Sequence, residues 1–167
     1  MDVAGVITEV GEGVTTFKTG DEIYGCAGGL QGEAGNIEGA LADYMLADSD
    51  LIALKPKALS FSEAAALPLV AITAWEGLFD RAHIKKEDHI LIHAGTGGVG
   101  HIAIQLAKQQ GARVATTVSS EEKAKIAKGL GADEIIFYRD ESVKDYTQRL
   151  TEGKLSLIHI SEPTRPY

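Results

Sequence analysis

The sequence predicts an α/β protein in which a β-rich segment precedes a parallel sheet with alternating helices. Three observations support this class. Residues 88–120 run in the order strand, glycine turn, amphipathic helix, strand. Helical and strand patterns then alternate again up to residue 150. Residues 3–59 instead contain short strand patterns separated by glycines, without helical periodicity.

The glycine turn lies between a short apolar run at 90–92 and a second strand pattern at 114–118. Gly95, Gly97 and Gly100 have the spacing G-x-G-x-x-G, and Gly111 follows the helix as a C-terminal cap. An apolar stripe at helical spacing marks the helix between them: Ile102, Ala103, Leu106 and Ala107.

Such a turn favours a phosphate ligand. Glycines allow a ligand close to the backbone, and the helix behind them begins with unpaired N–H groups and a positive dipole end. A pyrophosphate fits there, although a merely tight turn has the same spacing. Because strand and helix flank these glycines as the motif requires, we expect a nucleotide site.

The segment after the turn repeats the pattern. Residues 119–130 form a predicted helix that ends at Gly131, residues 134–137 a strand, and residues 142–150 a further helix. The order βαβαβα is one mononucleotide-binding half of a dinucleotide fold.

The first part predicts strands at 3–10, 21–24, 40–47 and 51–54, with a loop at 27–39. Ser60 and Glu63 then form a capping-box pattern, and Pro68 interrupts the helix that follows. A second helix at 69–79 carries Thr73, whose simplest interpretation is a hydroxyl bonded back to a helix carbonyl.

Composition argues against several partners. The net charge of −8 argues against nucleic acid or an anionic membrane. The chain has neither an apolar run of membrane-spanning length nor a signal pattern at its N-terminus. Its single cysteine, Cys26, forms no internal disulfide, which is typical of a cytoplasmic protein.

Six segments of the chain match one family pattern: Asp2-Val3-Ala4-Gly5-Val6-Ile7, Val10-Gly11-Glu12-Gly13-Val14, Phe17-Lys18-Thr19-Gly20-Asp21, Ala65-Ala66-Leu67-Pro68, Thr73-Ala74 and His93-Ala94-Gly95-Thr96-Gly97-Gly98-Val99-Gly100. Together they resemble the medium-chain dehydrogenase/reductase superfamily, and within it the zinc-independent, zeta-crystallin-like quinone oxidoreductases. The resemblance implies a GroES-like β domain joined to a Rossmann domain, NADPH in the cleft, and hydride transfer to a quinone or an α,β-unsaturated carbonyl compound.

Against the family pattern, we expect a partial GroES-like β domain at 1–59, connecting helices at 60–87 and a partial Rossmann domain at 88–154. Both domains are expected to be truncated. Residues 155–167 depart from the family and look like a translated adaptor, a non-native tail, although a divergent C-terminus is the alternative. Without the family's fourth strand, the first Rossmann strand is expected to have an unpaired edge, and the chain alone to be marginally stable and inactive.

No zinc site is expected. Met1-Asp2 stands where zinc-dependent relatives carry Gly-His-Glu, and Cys26 is alone, whereas zinc needs three or four ligands. His93 lies at a strand end near the expected ligand, but a histidine with a solvent or backbone partner is the simpler interpretation.

The end of the second strand favours NADPH over NADH. An NAD site usually has Asp or Glu there, whereas this chain has Ser119 and Ser120, followed by Lys123. Ser120 as a helix cap and Lys123 as a solvated side chain are the alternatives, and neighbouring Glu121 and Glu122 weaken the electrostatic argument. The resemblance places Lys123 at the 2′-phosphate, Tyr138 near the adenosine and Thr73 near the nicotinamide. The predicted cofactor-binding set is Thr73, Gly95, Thr96, Gly97, Gly98, Val99, Gly100, Ser119, Ser120, Lys123 and Tyr138.

The expected function is therefore part of an NADPH-dependent reductase for a small quinone or carbonyl substrate, in a parent protein that is a homodimer. No catalytic side chain is assigned, because the nicotinamide carries the chemistry. Alternatives are an enoyl-reductase or alcohol-dehydrogenase-like member of the superfamily, and a non-catalytic, crystallin-like NADPH-binding protein.

Overall fold

A computed structural model describes residues 2–27, 39–151 and 159–160 of the chain. The chain divides into two compact units, Met1–Val70 and Ala71–Tyr167. Within the described residues, none of the helices has the length and apolar character needed to cross a bilayer.

The first unit contains the antiparallel sheet that the glycine-punctuated pattern predicts. Strands β1 (Val3–Val6), β2 (Glu22–Gly25) and β3 (Ile52–Leu54) pair in that order, with Ala4 opposite Tyr24 and Tyr24 opposite Ala53. A short 3-10 helix, Ser49–Leu51, leads into β3. Ile23 of β2 is 6% exposed and belongs to the core of this unit.

Two strand predictions in this unit are wrong. β1 ends at Val6 rather than residue 10. Two further backbone bonds, from Ile7 N to Asp21 O at 3.0 Å and from Gly20 N to Ile7 O at 2.8 Å, extend its pairing by a single residue. Residues 40–47 form no strand, and Leu41 and Leu46 are exposed there. A strand needs a neighbouring edge for its ladder bonds, and none of the described strands pairs with residues 40–47. Most of the predicted loop at 27–39 lies outside the described residues.

Two helices and a π-helical turn follow. The capping box at the start of α1 (Phe61–Ala65) is confirmed: Glu63 N donates to Ser60 Oγ at 3.3 Å, and Ser60 N donates to Glu63 Oε2 at 2.9 Å. Pro68 begins α2 (Pro68–Trp75), where its missing N–H costs no helical hydrogen bond. Beyond α2, the predicted helix to residue 79 is instead a π-helical segment, Glu76–Arg81.

The second unit is the predicted βαβαβα. Its elements are β4 (His89–Ile92), α3 (Gly98–Gln109), β5 (Arg113–Val118), α4 (Glu121–Gly129), β6 (Glu134–Phe137) and α5 (Val143–Thr151). The strands are parallel, with Ile92 opposite Thr116 and Val118 opposite Phe137. The antiparallel sheet followed by this parallel sheet confirms the predicted α/β class.

A short strand, β7 (His159–Ile160), lies parallel to β4 and completes the order β6-β5-β4-β7. The expectation that β4 has an unpaired edge is therefore wrong at Leu91 and Ile92, which pair with these residues. An unpaired edge is a template for an extended segment, which accounts for the pairing. The other residues of the expected tail, 155–158 and 161–167, lie outside the described residues, and their non-native origin stays a prediction.

The parallel sheet is buried on both faces, as sheets of this kind usually are. Ile92, Val114 and Thr116 are fully buried. The alternate residues pack in a second cluster with α5, whose members are Leu91, Ala115, Ile136, Tyr146 and, partly buried, Leu150. This packing fixes the strand ends that carry the predicted site.

The amino edge of the sheet is closed by the chain's own polar groups. Gly111 ends α3 with φ +87°, a conformation that favours glycine. Lys108 Nζ lies 2.8 Å from Asp133 Oδ2, and the same carboxylate accepts the Val114 N–H at 2.7 Å. Partial burial of Asp133 acts to raise its pKa, but the bonds from Lys108 and Val114 outweigh it, so the pKa lies below its ordinary value.

Candidate nucleotide-binding site

The carboxyl edge of the sheet brings together most of the predicted cofactor-binding residues. The glycine turn follows β4, Ser119 and Ser120 follow β5, and Tyr138 follows β6. Because β4, β5 and β6 are adjacent and parallel, their carboxyl ends share one edge. Ligands of open α/β sheets bind outside this edge.

Two glycines of the turn are fixed by close packing within the protein. A Cβ on Gly95 would lie 2.8 Å from Ile104 Cδ1 and even closer to the Thr116 hydroxyl. A Cβ on Gly100 would lie 2.9 Å from Gly95 Cα and closer still to the Ala94 carbonyl oxygen. Both glycines therefore let the turn and α3 approach each other, which keeps the start of the helix directly behind strand β4.

Helix α3 begins without a side-chain cap. Its N-cap is Gly97, which has no side-chain hydrogen bond to the first turn, and no acidic residue lies in that turn. Gly98 is exposed and Thr96 half-buried, whereas Val99 is buried and packs inward. A helix start with no capping side chain presents N–H groups and a positive dipole end to an anion.

Strand β5 supplies hydrogen bonds to the turn that the sequence does not reveal. Ala94, just before Gly95, has φ +51°, a left-handed conformation that costs an alanine roughly 1–2 kcal/mol. The Ala94 N–H donates to Thr117 Oγ1 at 3.0 Å, and the Gly95 N–H donates to the Thr117 carbonyl at 3.3 Å. His93 Nδ1 lies 3.3 Å from the same hydroxyl, so its observed partner is a threonine side chain.

The end of β5 carries the predicted 2′-phosphate group of residues. Ser120 is the N-cap of α4, and its Oγ accepts the Lys123 N–H at 3.4 Å. Ser119 is half-buried beside it, and the Lys123 side chain is exposed. Glu121 and Glu122 occupy the first turn of α4. There they interact favourably with the positive end of the helix dipole and repel an anionic ligand. Ser120 therefore has a capping role, whereas Lys123 is exposed in the first turn of α4.

Beyond β6, Tyr138 is 52% exposed, and the Arg139 guanidinium carbon lies 5.8 Å from the centre of its ring. An aromatic face with a cation beside it suits an adenine ring and a nearby phosphate. The sequence predicted a role for Tyr138 but none for Arg139. A tyrosine followed by an arginine directly after a strand was the pattern that could have indicated both.

Thr73, the remaining predicted contact, lies on α2 rather than at the strand ends. Its side chain is exposed. Its role as a nicotinamide contact stays a prediction.

The residues that the structure describes offer neither a metal centre nor an activated thiol. No group of three or more His, Cys, Asp and Glu side chains among them is placed to hold a metal ion. Burial, followed by the hydrogen bond and charge of Asp2, raises the pKa of the Cys26 thiol. A thiol with a raised pKa is a poor nucleophile at neutral pH. At the carboxyl edge, the uncapped start of α3 and the exposed Lys123 favour an anionic ligand.

Comparison with known families assigns both parts of the chain. Residues 1–57 match the alcohol dehydrogenase GroES-like domain, and residues 98–160 match the family described as zinc-binding dehydrogenase. The second match begins at α3 and extends through the following strands and helices to β7.

Individual relatives agree with this assignment. The chain is 46% identical to the 2-methylene-furan-3-one reductase of Solanum lycopersicum over 86% of its own length and 37% of the relative. It is 40% identical over 159 residues to the highly reducing polyketide synthase dmxL2 of Cryptosporiopsis, covering 92% of this chain and 6% of that protein.

Among solved structures, the Escherichia coli quinone oxidoreductase complexed with NADPH superposes with a TM-score of 0.80 at 35% identity, over 92% of this chain and 44% of that one. The chain thus spans less than half the length of these relatives. The matched domains and relatives show that the chain belongs to the medium-chain dehydrogenase/reductase superfamily.

Proposed function

We propose that this chain carries the nucleotide-binding part of an NADPH-dependent reductase that transfers hydride to a quinone or an α,β-unsaturated carbonyl compound. One observation supports the proposal above all others. The glycine turn and the uncapped start of α3 lie at the carboxyl edge, in a chain 46% identical to a 2-methylene-furan-3-one reductase. The zinc-independent quinone oxidoreductase branch fits these features best.

The residues present fit such a cofactor. The absence of a capping side chain at Gly97 leaves room for a pyrophosphate at the start of α3. Lys123 and Ser119 would bind the 2′-phosphate, and Tyr138 would lie beside the adenosine. NADPH supplies the hydride from its nicotinamide ring, while the protein binds and orients. No side chain of the described residues is assigned a proton-transfer role.

NADPH is preferred over NADH because no carboxylate follows β5 directly. An Asp or Glu there would bond the ribose 2′-hydroxyl and repel a 2′-phosphate. Val118 is followed instead by two serines, and the ammonium of Lys123 is exposed one helical turn later. The E. coli relative was solved with NADPH, which agrees with this preference.

The proposed enzyme works without zinc. Cys26 and Asp2 form no ligand cluster with other residues in the described ranges. Metal analysis of the whole protein should find no stoichiometric zinc, and chelators should leave turnover intact. Near-equimolar zinc with loss of turnover on chelation would contradict this.

We further propose a homodimer that acts on small molecules in the cytoplasm and binds neither nucleic acid nor membranes. The net charge of −8 and the lone cysteine support the partners and the compartment. Light scattering and cell fractionation of the whole protein test these statements.

The decisive experiment measures cofactor oxidation by the whole protein with a panel of quinones, enones and saturated ketones. We expect turnover of quinones or enones with NADPH, little with NADH and none with saturated ketones. Tight NADPH binding with no turnover across the panel would favour the non-catalytic, crystallin-like alternative instead.

A second candidate is the enoyl-reductase module of a polyketide synthase, favoured by the 40% identity to dmxL2. Such a module reduces an enone-like thioester on a carrier protein. A substrate panel that includes an enoyl thioester separates the two: preference for the thioester over free quinones and enones would favour the module.

A further inference from the structure

We infer that Thr117 is a positioning residue for the proposed cofactor: it holds the entry to the glycine turn in the conformation that receives the pyrophosphate. This inference rests on the proposed NADPH-binding function. It concerns a residue of β5 that contacts the turn through both its side chain and its backbone.

Thr117 is 4% exposed, so its polar atoms need partners within the protein. Its hydroxyl accepts the Ala94 N–H at 3.0 Å, and its carbonyl accepts the Gly95 N–H at 3.3 Å. One residue of the neighbouring strand therefore fixes two consecutive residues of the turn. The hydroxyl also lies 3.3 Å from His93 Nδ1. Through its hydroxyl and its carbonyl together, Thr117 contacts three consecutive residues, His93, Ala94 and Gly95.

These contacts matter because Ala94 has an unfavourable conformation. Its φ of +51° is one that an alanine avoids unless its surroundings hold it there. The Ala94 carbonyl in turn accepts the Gly97 N–H at 2.8 Å, and Gly97 is the N-cap of α3. The orientation of Ala94 therefore sets the position of the helix start that faces the phosphate.

The ligand chemistry sets a specific expectation. The pyrophosphate is common to NADPH and NADH, so loss of the Thr117 hydroxyl should weaken both dinucleotides by the same factor. Adenosine 2′-phosphate lacks the pyrophosphate and should be unaffected. A residue with only a structural role would weaken all three ligands together with the thermal stability.

The test compares Thr117→Val, which removes the hydroxyl at nearly constant shape, with Thr117→Ser, which keeps it. Dissociation constants for NADPH, NADH and adenosine 2′-phosphate are measured on the whole protein by calorimetry, together with melting temperatures. We expect T117V to raise both dinucleotide constants about three- to tenfold, the usual range for one hydrogen bond. T117S should remain close to the wild type.

A glycine at position 94 adopts a positive φ without strain, so Ala94→Gly provides a background in which the turn needs less support. There, T117V should again raise both dinucleotide constants equally, but by a smaller factor. If T117V alone does not fold, the comparison of A94G with the double variant A94G/T117V tests the inference instead.

Unchanged dinucleotide binding in T117V would overturn the inference, as would an equal loss for adenosine 2′-phosphate. If the wild-type protein binds no NADPH at all, the proposed function fails and the inference fails with it. Binding by the wild type with no effect of T117V contradicts the inference alone.

Discussion

The two edges of the parallel sheet differ in how their polar groups find partners. At the amino edge, Lys108 and Asp133 pair with each other, and Asp133 also accepts the backbone N–H of Val114. At the carboxyl edge, α3 starts without a capping side chain and the side chains of Lys123 and Tyr138 are exposed. The polar groups at the amino edge are therefore paired within the protein, whereas the carboxyl edge keeps groups that can bind a ligand.

This difference separates stability from binding. Polar groups that pair within the protein stabilise the folded state, and they are not available to a ligand. The carboxyl edge retains donors, a cation and an aromatic ring, and it holds Ala94 in a strained conformation. Substitutions at the amino edge should thus change stability alone, whereas most at the carboxyl edge should change affinity.

Gly100→Ala should have the largest effect, because it disturbs both the packing of the glycine turn and the ligand site at the carboxyl edge. The added Cβ would meet the Ala94 carbonyl and the Gly95 Cα, which are backbone atoms and not the ends of flexible side chains. We expect a loss of about 3 kcal/mol in the free energy of unfolding and no measurable NADPH binding. Urea denaturation and a fluorescence titration measure the two quantities. A stable variant that binds NADPH would contradict the close packing described for the turn.

Lys123→Ala should change affinity without changing stability. Loss of a charge-assisted hydrogen bond should raise the dissociation constant for NADPH roughly ten- to a hundredfold and leave that for NADH nearly unchanged. Lys125→Ala, at an exposed position on the same helix, is the matched control. Equal losses for both cofactors would show that Lys123 does not bind the 2′-phosphate.

Asp133→Asn should lower stability at the amino edge and leave NADPH binding intact. Loss of the charged partner for Lys108 and Val114 should cost about 2 kcal/mol at neutral pH. Because the folded pKa of Asp133 is lowered, its contribution is present above the unfolded value of about 4 and is lost as the pH falls below it.

Urea melts of wild type and D133N between neutral and acidic pH measure this dependence. The difference between the two proteins should shrink as the pH falls, and Asp140→Asn, at an exposed site, should show no such trend. A difference that is independent of pH would exclude the carboxylate as its source.

Gly129→Ala should have the smallest effect and the opposite sign. Gly129 is the last residue of α4, and a Cβ there meets nothing within 4 Å. Alanine should therefore raise the free energy of unfolding by up to about 1 kcal/mol, with no effect on NADPH binding. A lower free energy of unfolding in G129A would show that a Cβ at the end of α4 does meet neighbouring atoms.

The parallel half of the fold was predictable because its signals are local. These signals are the β-branched strands, the spacing of Gly95, Gly97 and Gly100, and the glycines that follow α3 and α4. Each occurs within a short stretch of sequence. The predicted strand at 40–47 was wrong because strand formation depends on a partner elsewhere in the chain. Likewise, no local sequence pattern predicts the π-helical segment after α2. The ring centres of Trp75 and Phe79 lie 4.4 Å apart there.

The site was predictable only in part, for the same reason. Motif spacing predicted the glycine turn that the structure shows, whereas the predicted roles of Lys123 and Tyr138 rest on the resemblance. Thr117 was missed because its role depends on the register that places the end of β5 beside the residues after β4. A threonine in a strand pattern gives no sign of which neighbouring backbone its hydroxyl contacts.

The left-handed Ala94 also affects the entropy of ligand binding. A glycine would adopt this φ more readily, but it would also sample many other conformations in the free protein. An alanine held by Thr117 restricts the turn before any ligand arrives, so less conformational freedom is lost on association. The strain of this one residue thus becomes a form of preorganisation, and dinucleotide binding should show a smaller entropic penalty with alanine than with glycine at this position.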